Sequence, residues 1–440
     1  MTNRFLQTFL PRLEENGIKY AIVRGWDDIP NSMLGGDCDM WIDETQYEQI
    51  KQILHRTLAD TDGRVVSYME GYKAPKYILL GPDWGLQLDL GFTVVHYKCY
   101  TYYPDDLVQK HVKIFNGYRV VSADADAYMA FIKEILYNGF SQKDKYVKRM
   151  RNVLKFSTQE LICENLSLYS ESTIHMFQQQ ALDETRTKYP ELRRAMCRDI
   201  LPLINFRNIH YQLRKLKRLF RHPGYMIAVL GTDGSGKSAI INAITPWLDE
   251  AFHHNVKYKH LRPGLLPDIA VLLGKRKESE CHPDVVSTPH SGKPSGLWGS
   301  LARLAYYLVD YSLGYAKSIW RGIALHYNVF IFDRYYYDYY IDQRRYLLNL
   351  PKWFIRAGEL FVPKPDIILC LGGEPEKIYA RKPETSLEEV THQTKELKRF
   401  AAKRKNAVWI DTTQPIEDSI SDAKDAILDV MSERFKKILG

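Results

Sequence analysis

Gly231-Thr232-Asp233-Gly234-Ser235-Gly236-Lys237-Ser238 has the spacing G-x-x-x-x-G-K-S. It directly follows the apolar run Met226-Ile227-Ala228-Val229-Leu230. Glycines at 231, 234 and 236 let the backbone wrap its N–H groups around phosphate oxygens. The helix expected to begin near Lys237 adds its positive end. In such a loop Lys237 reaches the β- and γ-phosphates of a nucleoside triphosphate, and the Ser238 hydroxyl sits on Mg²⁺. The expected chemistry is the handling of a triphosphate.

A second constellation lies near the N-terminus. Gly25 precedes Trp26, and Gly35-Gly36 precedes Asp37-Cys38-Asp39. Asp37 and Asp39, two apart on an extended chain, point to one side. Asp89 interrupts the apolar alternation Leu86-Gln87-Leu88-Asp89-Leu90. Three converging carboxylates can hold Mg²⁺ ions that orient a triphosphate and an attacking oxygen. Aspartates also favour turns, so a structural role for Asp37 and Asp39 stays open beside the catalytic one. Lys143, Lys145, Lys148 and Arg149 could close over a triphosphate or lie on a solvated helix.

The apolar strand Val329-Phe330-Ile331-Phe332 delivers Asp333-Arg334-Tyr335 at its C-terminal end, where ligands of parallel sheets gather. Asp333 or Asp233 can orient an acceptor, and Arg334 can clamp an anion. Arg303, Asp310 and Lys317, seven residues apart, should share one face of a helix. Of these, Arg303 and Asp310, with Arg262 and Tyr335, are candidates for an acceptor pocket. The tyrosines around 335–340 suit a sugar face and a hydrophobic core equally.

These groups need elements to hold them. From 225 onward strands and helices alternate: strands near 226–230, 329–333, 366–371 and 407–410, each followed by a helix. That order predicts a parallel sheet with right-handed crossovers. Residues 1–150 read as α+β. A helix is expected over 3–16, strands at 20–24 and 39–43, a helix over 44–58, and strands at 64–68, 77–80 and 86–92. Residues 151–224 read as a helical connector. It ends in the basic stretch 211–222, which suits either an anionic membrane surface or a solvated linker helix.

The chain of 440 residues is 45% hydrophobic and 26% charged, an ordinary globular balance that leaves room for two or three domains. The net charge of +8 favours polyanionic ligands such as nucleotides but is too diffuse to imply nucleic acid. Six cysteines without a C-x-x-C pair suit reduced thiols rather than disulfides or zinc. The N-terminus carries no basic-then-apolar leader. A cytoplasmic protein is expected, peripheral to the inner face of the membrane if 211–222 docks there.

The order of the loop, Asp333-Arg334-Tyr335, Pro365-Asp366 before a strand and Arg381 on the following helix resembles the thymidylate kinase family over about residues 225–435. The resemblance implies a P-loop nucleoside-monophosphate-kinase core, ATP and Mg²⁺ as cofactors, and γ-phosphoryl transfer with Arg381 neutralising charge in a lid. Homodimers occur among such kinases. The family continues Asp-Arg-Tyr with a Ser and an Ala-Tyr-Gln segment; this chain reads Tyr336-Tyr337-Asp338-Tyr339-Tyr340 instead. A sugar, sugar phosphate or surface-glycan acceptor is therefore expected, with a genuine thymidylate kinase as the alternative. Residues 15–150 resemble the DNA polymerase β-type nucleotidyltransferase superfamily in the order of Gly25, Asp37, Asp39 and Asp89, although Trp26 stands where a small residue is usual. Together the halves imply a bifunctional enzyme of one pathway, for example polysaccharide assembly. A nucleotide-gated switch with a partner-binding N-terminal half is the reading of another class.

Overall fold

The protein is described from a computed structural model that covers residues 3–33, 37–71, 73–92, 96–97, 100–139, 143–201, 213, 218, 221–267, 269 and 295–439. Most of the basic stretch 211–222, the Gly35-Gly36 pair and most of the 260–294 insertion lie outside the described residues.

The first half builds a seven-stranded mixed sheet. In chain order its elements are α1 (Arg4–Glu15), β1 (Tyr20–Ile22), β2 (Asp37–Ile42), α2 (Tyr47–Asp60), β3 (Arg64–Glu70), β4 (Pro75–Leu80) and β5 (Gly85–Gly91). A short ribbon, β6 (His96–Tyr97) and β7 (Tyr100–Thr101), leads to α3 (Asp105–Lys110), β8 (Val112–Phe115) and β9 (Tyr118–Val121). Five helices follow: α4 (Ala123–Asn138), α5 (Asp144–Leu154), α6 (Gln159–Asn165), α7 (Glu171–Leu182) and α8 (Tyr189–Ile200). The strand order is β3-β4-β5-β2-β1-β9-β8. The helix expected over 3–16 forms as α1: Asn3 caps it by accepting the Leu6 N–H, and Phe5, Phe9, Leu10 and Leu13 bury one stripe.

The second half is a five-stranded, wholly parallel sheet. Its elements are β10 (Tyr225–Gly231), α9 (Lys237–Phe252), β11 (Val256–His260), α10 (Leu297–Gly314), α11 (Trp320–His326), β12 (Val329–Asp333), α12 (Asp338–Ile341), α13 (Lys352–Ala357), β13 (Ile367–Gly372), α14 (Pro375–Arg381), α15 (Leu387–Ala402), β14 (Ala407–Asp411) and α16 (Ile416–Phe435). The order β11-β12-β10-β13-β14 places β10 between strands that come later in the chain on both sides. The crest after β10 is thus the point where the strand order reverses, the usual seat of a ligand. The charged segment Val256–His260 has no apolar run to mark it, yet it forms the edge strand beside β12.

The two halves share a core. On β10, Tyr225, Ile227 and Val229 face one way and Met226, Ala228 and Leu230 the other, as the two-residue period of a strand requires. The first set packs on α9 and α16, whose far sides meet β5 and β3 of the first sheet. Two helices are therefore sandwiched between two sheets. Trp247 donates its indole N–H to the Gly81 carbonyl at 2.8 Å, and Ser67 donates to Pro223 at 2.7 Å. Gly85 lies so close to α9 that a Cβ there would stand 2.7 Å from the Ala251 nitrogen. The outer face of the first sheet, including Val23, Trp41 and Val121, is covered by α4 to α8 in a separate cluster.

One expected face does not form. Between α10 and α11 the chain takes a π-helical turn, Tyr315–Ile319. A π turn inserts extra backbone into the helical register, so residues beyond it leave the face defined before it. Asp310 is buried, Arg303 is half-buried, and Lys317 is exposed. Among the described residues no helix is long and apolar enough to cross a membrane. Among the described residues, Cys38, Cys163 and Cys370 are free thiols.

Candidate functional sites

The phosphate loop joins β10 to α9. Gly234 and Gly236 adopt φ of 81° and 80°, a left-handed backbone that side chains resist. Gly234 also lies against α14: a Cβ would stand 2.7 Å from the Ile378 carbonyl oxygen. Ser235 and Thr232 carry buried hydroxyls inside the loop, and Gly231 abuts the Ser235 side chain. Ser238 is exposed on the first turn of α9. Lys237 is buried and bends back over the loop, donating to the Gly231 and Thr232 carbonyls at 2.9 and 2.8 Å. Burial, then the nearby Arg334 guanidinium, push its ammonium down to about 7 against the pull of Asp233.

Asp333 ends β12 one strand away, in register with Val229. Its Oδ2 accepts from the Tyr258 hydroxyl at 3.1 Å and lies 3.7 Å from His260 Nδ1, both on β11. Burial raises the Asp333 carboxyl, but His260, Lys237 and Arg334 outweigh it and hold it below the usual range. Arg334 takes φ of 68°, which turns its side chain back toward the loop. Its Nη2 lies 2.6 Å from Asp233 Oδ1 and its Nη1 3.4 Å from Asp338 Oδ2. Arg345 pairs with the other Asp233 oxygen. Burial alone would raise Asp233, yet Arg334, Lys237 and Arg345 hold it well below the ordinary carboxylate range. Arg381, at the end of α14, donates to the Thr412 carbonyl at 2.8 Å, and a Cβ on Gly236 would meet the Thr412 Cβ at 3.9 Å. Asp233, Lys237, Asp333 and Arg334 thus converge, with Arg381 on the rim.

Of the acceptor candidates, the structure joins Arg262 to Asp310 and buries Tyr335 in the core. Tyr335 is fully buried and donates to the Pro363 carbonyl at 2.6 Å. With Tyr311, Tyr336 and Tyr339 it forms edge-to-face contacts inside the core, so it holds the scaffold and shows no face to a ligand. Asp310 is fully buried and ties down the segment after β11: it accepts from the Leu265 and Leu266 N–H groups at 2.7 and 2.9 Å and pairs with Arg262 at 3.1 Å. Its partners satisfy it as an anchor rather than as a sugar ligand. Arg303 keeps a buried Nε without a hydrogen-bond partner among the described residues. Arg345 and Asp338 enter the site although the motif reading passed over them. Their signal was the i, i+4 spacing of Arg334 and Asp338 on a turn after a strand.

In the first half, parallel pairing sets Asp39 directly beside Asp89 and Asp37 beside Gln87. Asp39 pairs with Arg24, and Asp89 lies 2.8 Å from Lys76. Burial, with Asp39 as a like-charged neighbour, pushes the Asp89 carboxyl up to about 6 despite Lys76, and its Oδ1 is buried without a partner among the described residues. Asp39 is held well below the usual range, since Arg24, Lys133 and Lys76 outweigh its burial. Asp37 lines an adjoining cavity of about 710 Å³ with Gly25, Lys133, Lys143, Lys145 and Arg149. His253, the residue that caps α9, reaches the same cavity from the second half.

The donor sets bear on Mg²⁺ differently. Among the described residues no group of three or more acidic, His or Cys side chains is arranged to hold a metal. A phosphotransferase needs none, because Mg²⁺ is held there by one or two protein oxygens plus phosphates and waters. The hydroxyl of Ser238 and the Oδ1 of Asp333, which has no partner among the described residues, are of the right kind. The triple ligand set of Asp37, Asp39 and Asp89 is not assembled: Asp39 and Asp89 adjoin but spend one oxygen each on Arg24 and Lys76.

No protein-family model matches the sequence, and no curated protein matches it. Among solved structures, thymidylate kinase from Ehrlichia chaffeensis aligns with 47% of this chain and 100% of its own, at 17% identity and a TM-score of 0.33.

Proposed function

We propose that the second half is an ATP-dependent phosphotransferase acting on a sugar, sugar phosphate or glycan acceptor. The observation that carries this reading is the convergence of Lys237, Asp233, Asp333 and Arg334 at the crest of a parallel sheet. Phosphoryl transfer is mostly positioning and charge stabilisation, and these residues supply both. The loop N–H groups and the start of α9 hold the phosphates. Lys237 swings from the loop carbonyls to the γ-phosphate. Arg381 approaches from the rim as charge builds. Asp233 or Asp333 accepts a hydrogen bond from the acceptor hydroxyl and aims its oxygen. Mg²⁺, held through Ser238 and Asp333, would neutralise phosphate charge.

A second reading, nucleotidyl transfer in the first half, is favoured by the paired Asp39 and Asp89 beside a lysine-lined cavity. One experiment tests both. The protein is incubated with Mg·ATP and a panel of dTMP, sugars, sugar phosphates and glycans, and the products are weighed by mass spectrometry. A gain of one phosphate, lost in Lys237→Ala but kept in the double variant Asp39→Asn with Asp89→Asn, is the expected result. A nucleotidyl gain with the opposite dependence would establish the second activity. Bound nucleotide with no modified acceptor would sink the phosphotransferase and favour a switch.

A further inference from the structure

We propose that the phosphoryl acceptor is an uncharged hydroxyl compound, a sugar or glycan end carrying no phosphate of its own, and that Asp338 is the residue that enforces this. The inference rests on the phosphotransferase reading above and narrows its substrate. It begins with Arg334, whose side chain is almost buried. A guanidinium recognises a phosphomonoester by presenting two parallel N–H groups. Here both terminal nitrogens of Arg334 already face carboxylates, Asp233 at 2.6 Å and Asp338 at 3.4 Å. Arg345 holds the second oxygen of Asp233.

Asp338 is enclosed beside Arg334. It is buried on the first turn of α12, four residues after Arg334, and the Tyr346 hydroxyl lies 3.5 Å from the same oxygen. Asp342, also buried, accepts from the Arg345 N–H at 3.2 Å. Around the crest Lys237, Arg334 and Arg345, with Arg381 on the rim, are already matched by four carboxylates, Asp233, Asp333, Asp338 and Asp342. A phosphomonoester brings close to two negative charges. It would have to strip Arg334 from both carboxylates; Asp233 would keep Arg345, but Asp338 would stand buried without its ion-pair partner, which is strongly unfavourable.

A neutral hydroxyl meets the opposite situation. Carboxylates accept hydrogen bonds and cannot donate them, so a hydroxyl donor is the group they hold best. In the transfer step the hydroxyl oxygen forms a bond to the γ-phosphorus while the bond from that phosphorus to the bridging oxygen breaks. The electron pair leaves with ADP, and the hydroxyl proton passes to Asp233 or Asp333 and then to water.

The test uses the full chain with Mg²⁺ and a non-hydrolysable ATP analogue, so that the loop is filled. Inorganic phosphate and glucose 6-phosphate are titrated into the wild type, Asp338→Asn and Asp338→Ser by calorimetry, with circular dichroism as the check on folding. The expected result is weak binding to the wild type and binding at least about tenfold tighter in either variant, as one like-charge contact is removed. Equal affinities in wild type and variants overturn the inference. A wild type that phosphorylates sugar phosphates faster than the parent sugars also overturns it, while leaving the phosphotransferase standing. Failure of the analogue itself to bind removes the triphosphate reading and this inference together.

Discussion

Replacing Lys237 by alanine lowers phosphoryl transfer by about 100- to 1,000-fold, the cost of removing one charge-stabilising donor from a water-poor site. The loss should fall mainly on kcat, because the loop N–H groups and the start of α9 still hold the nucleotide. Steady-state kinetics on the acceptor found by mass spectrometry measures it, and turnover within tenfold of wild type would remove Lys237 from the site. The same lysine gives the binding a pH dependence. Its ammonium is pushed down to about 7 by burial and Arg334, so above that pH the free protein holds it neutral. Triphosphate favours the charged form. Binding must therefore take up a proton, and affinity falls by up to about tenfold per pH unit above 7 and levels off below it. Calorimetry of the ATP analogue in two buffers of unlike ionisation enthalpy at pH 8 reads the proton directly. An affinity that is flat from pH 6 to 9 would contradict the assignment.

The second large effect is on stability. Trp247 is buried where α9 meets the first sheet, with its indole N–H on the Gly81 carbonyl. Trp247→Ala is expected to cost about 3–5 kcal/mol, through lost packing and the cavity left behind. Because α9 serves both sheets, amide protection should fall in β5 and in β10 alike. Hydrogen exchange resolved by peptide checks this. Loss confined to β5 would mean that the shared core does not act as one unit.

Much of the second half was legible in the sequence. Apolar runs such as Val329-Phe330-Ile331-Phe332 and Ile367-Ile368-Leu369-Cys370-Leu371 are long enough to be buried strands, and the glycines of the loop mark its turn without further context. What stayed hidden depends on contacts between distant residues. The seven-residue spacing of Arg303, Asp310 and Lys317 is a true helical spacing, but the π turn at Tyr315–Ile319 breaks it, and nothing in those five residues announces that. Asp310 looked like a pocket residue because it interrupts an apolar helix; its actual partners are the N–H groups some 45 residues earlier. The apolar spacing of Ile240, Ile241, Ile244, Trp247 and Leu248 marks α9 as a helix. That it is buried by two sheets follows only once Gly85 is placed against Ala251.

Helix α9 begins at Lys237 in the phosphate loop and is capped by His253 at the cavity of the first half. At about 1.5 Å per residue, its 16 residues fix those two places roughly 24 Å apart. A rod clamped between two sheets neither shortens nor swings. An acceptor handled at both places cannot be carried across by one half folding onto the other. It must either let go and rediffuse, or be a chain long enough to lie along the protein from one end of that helix to the other.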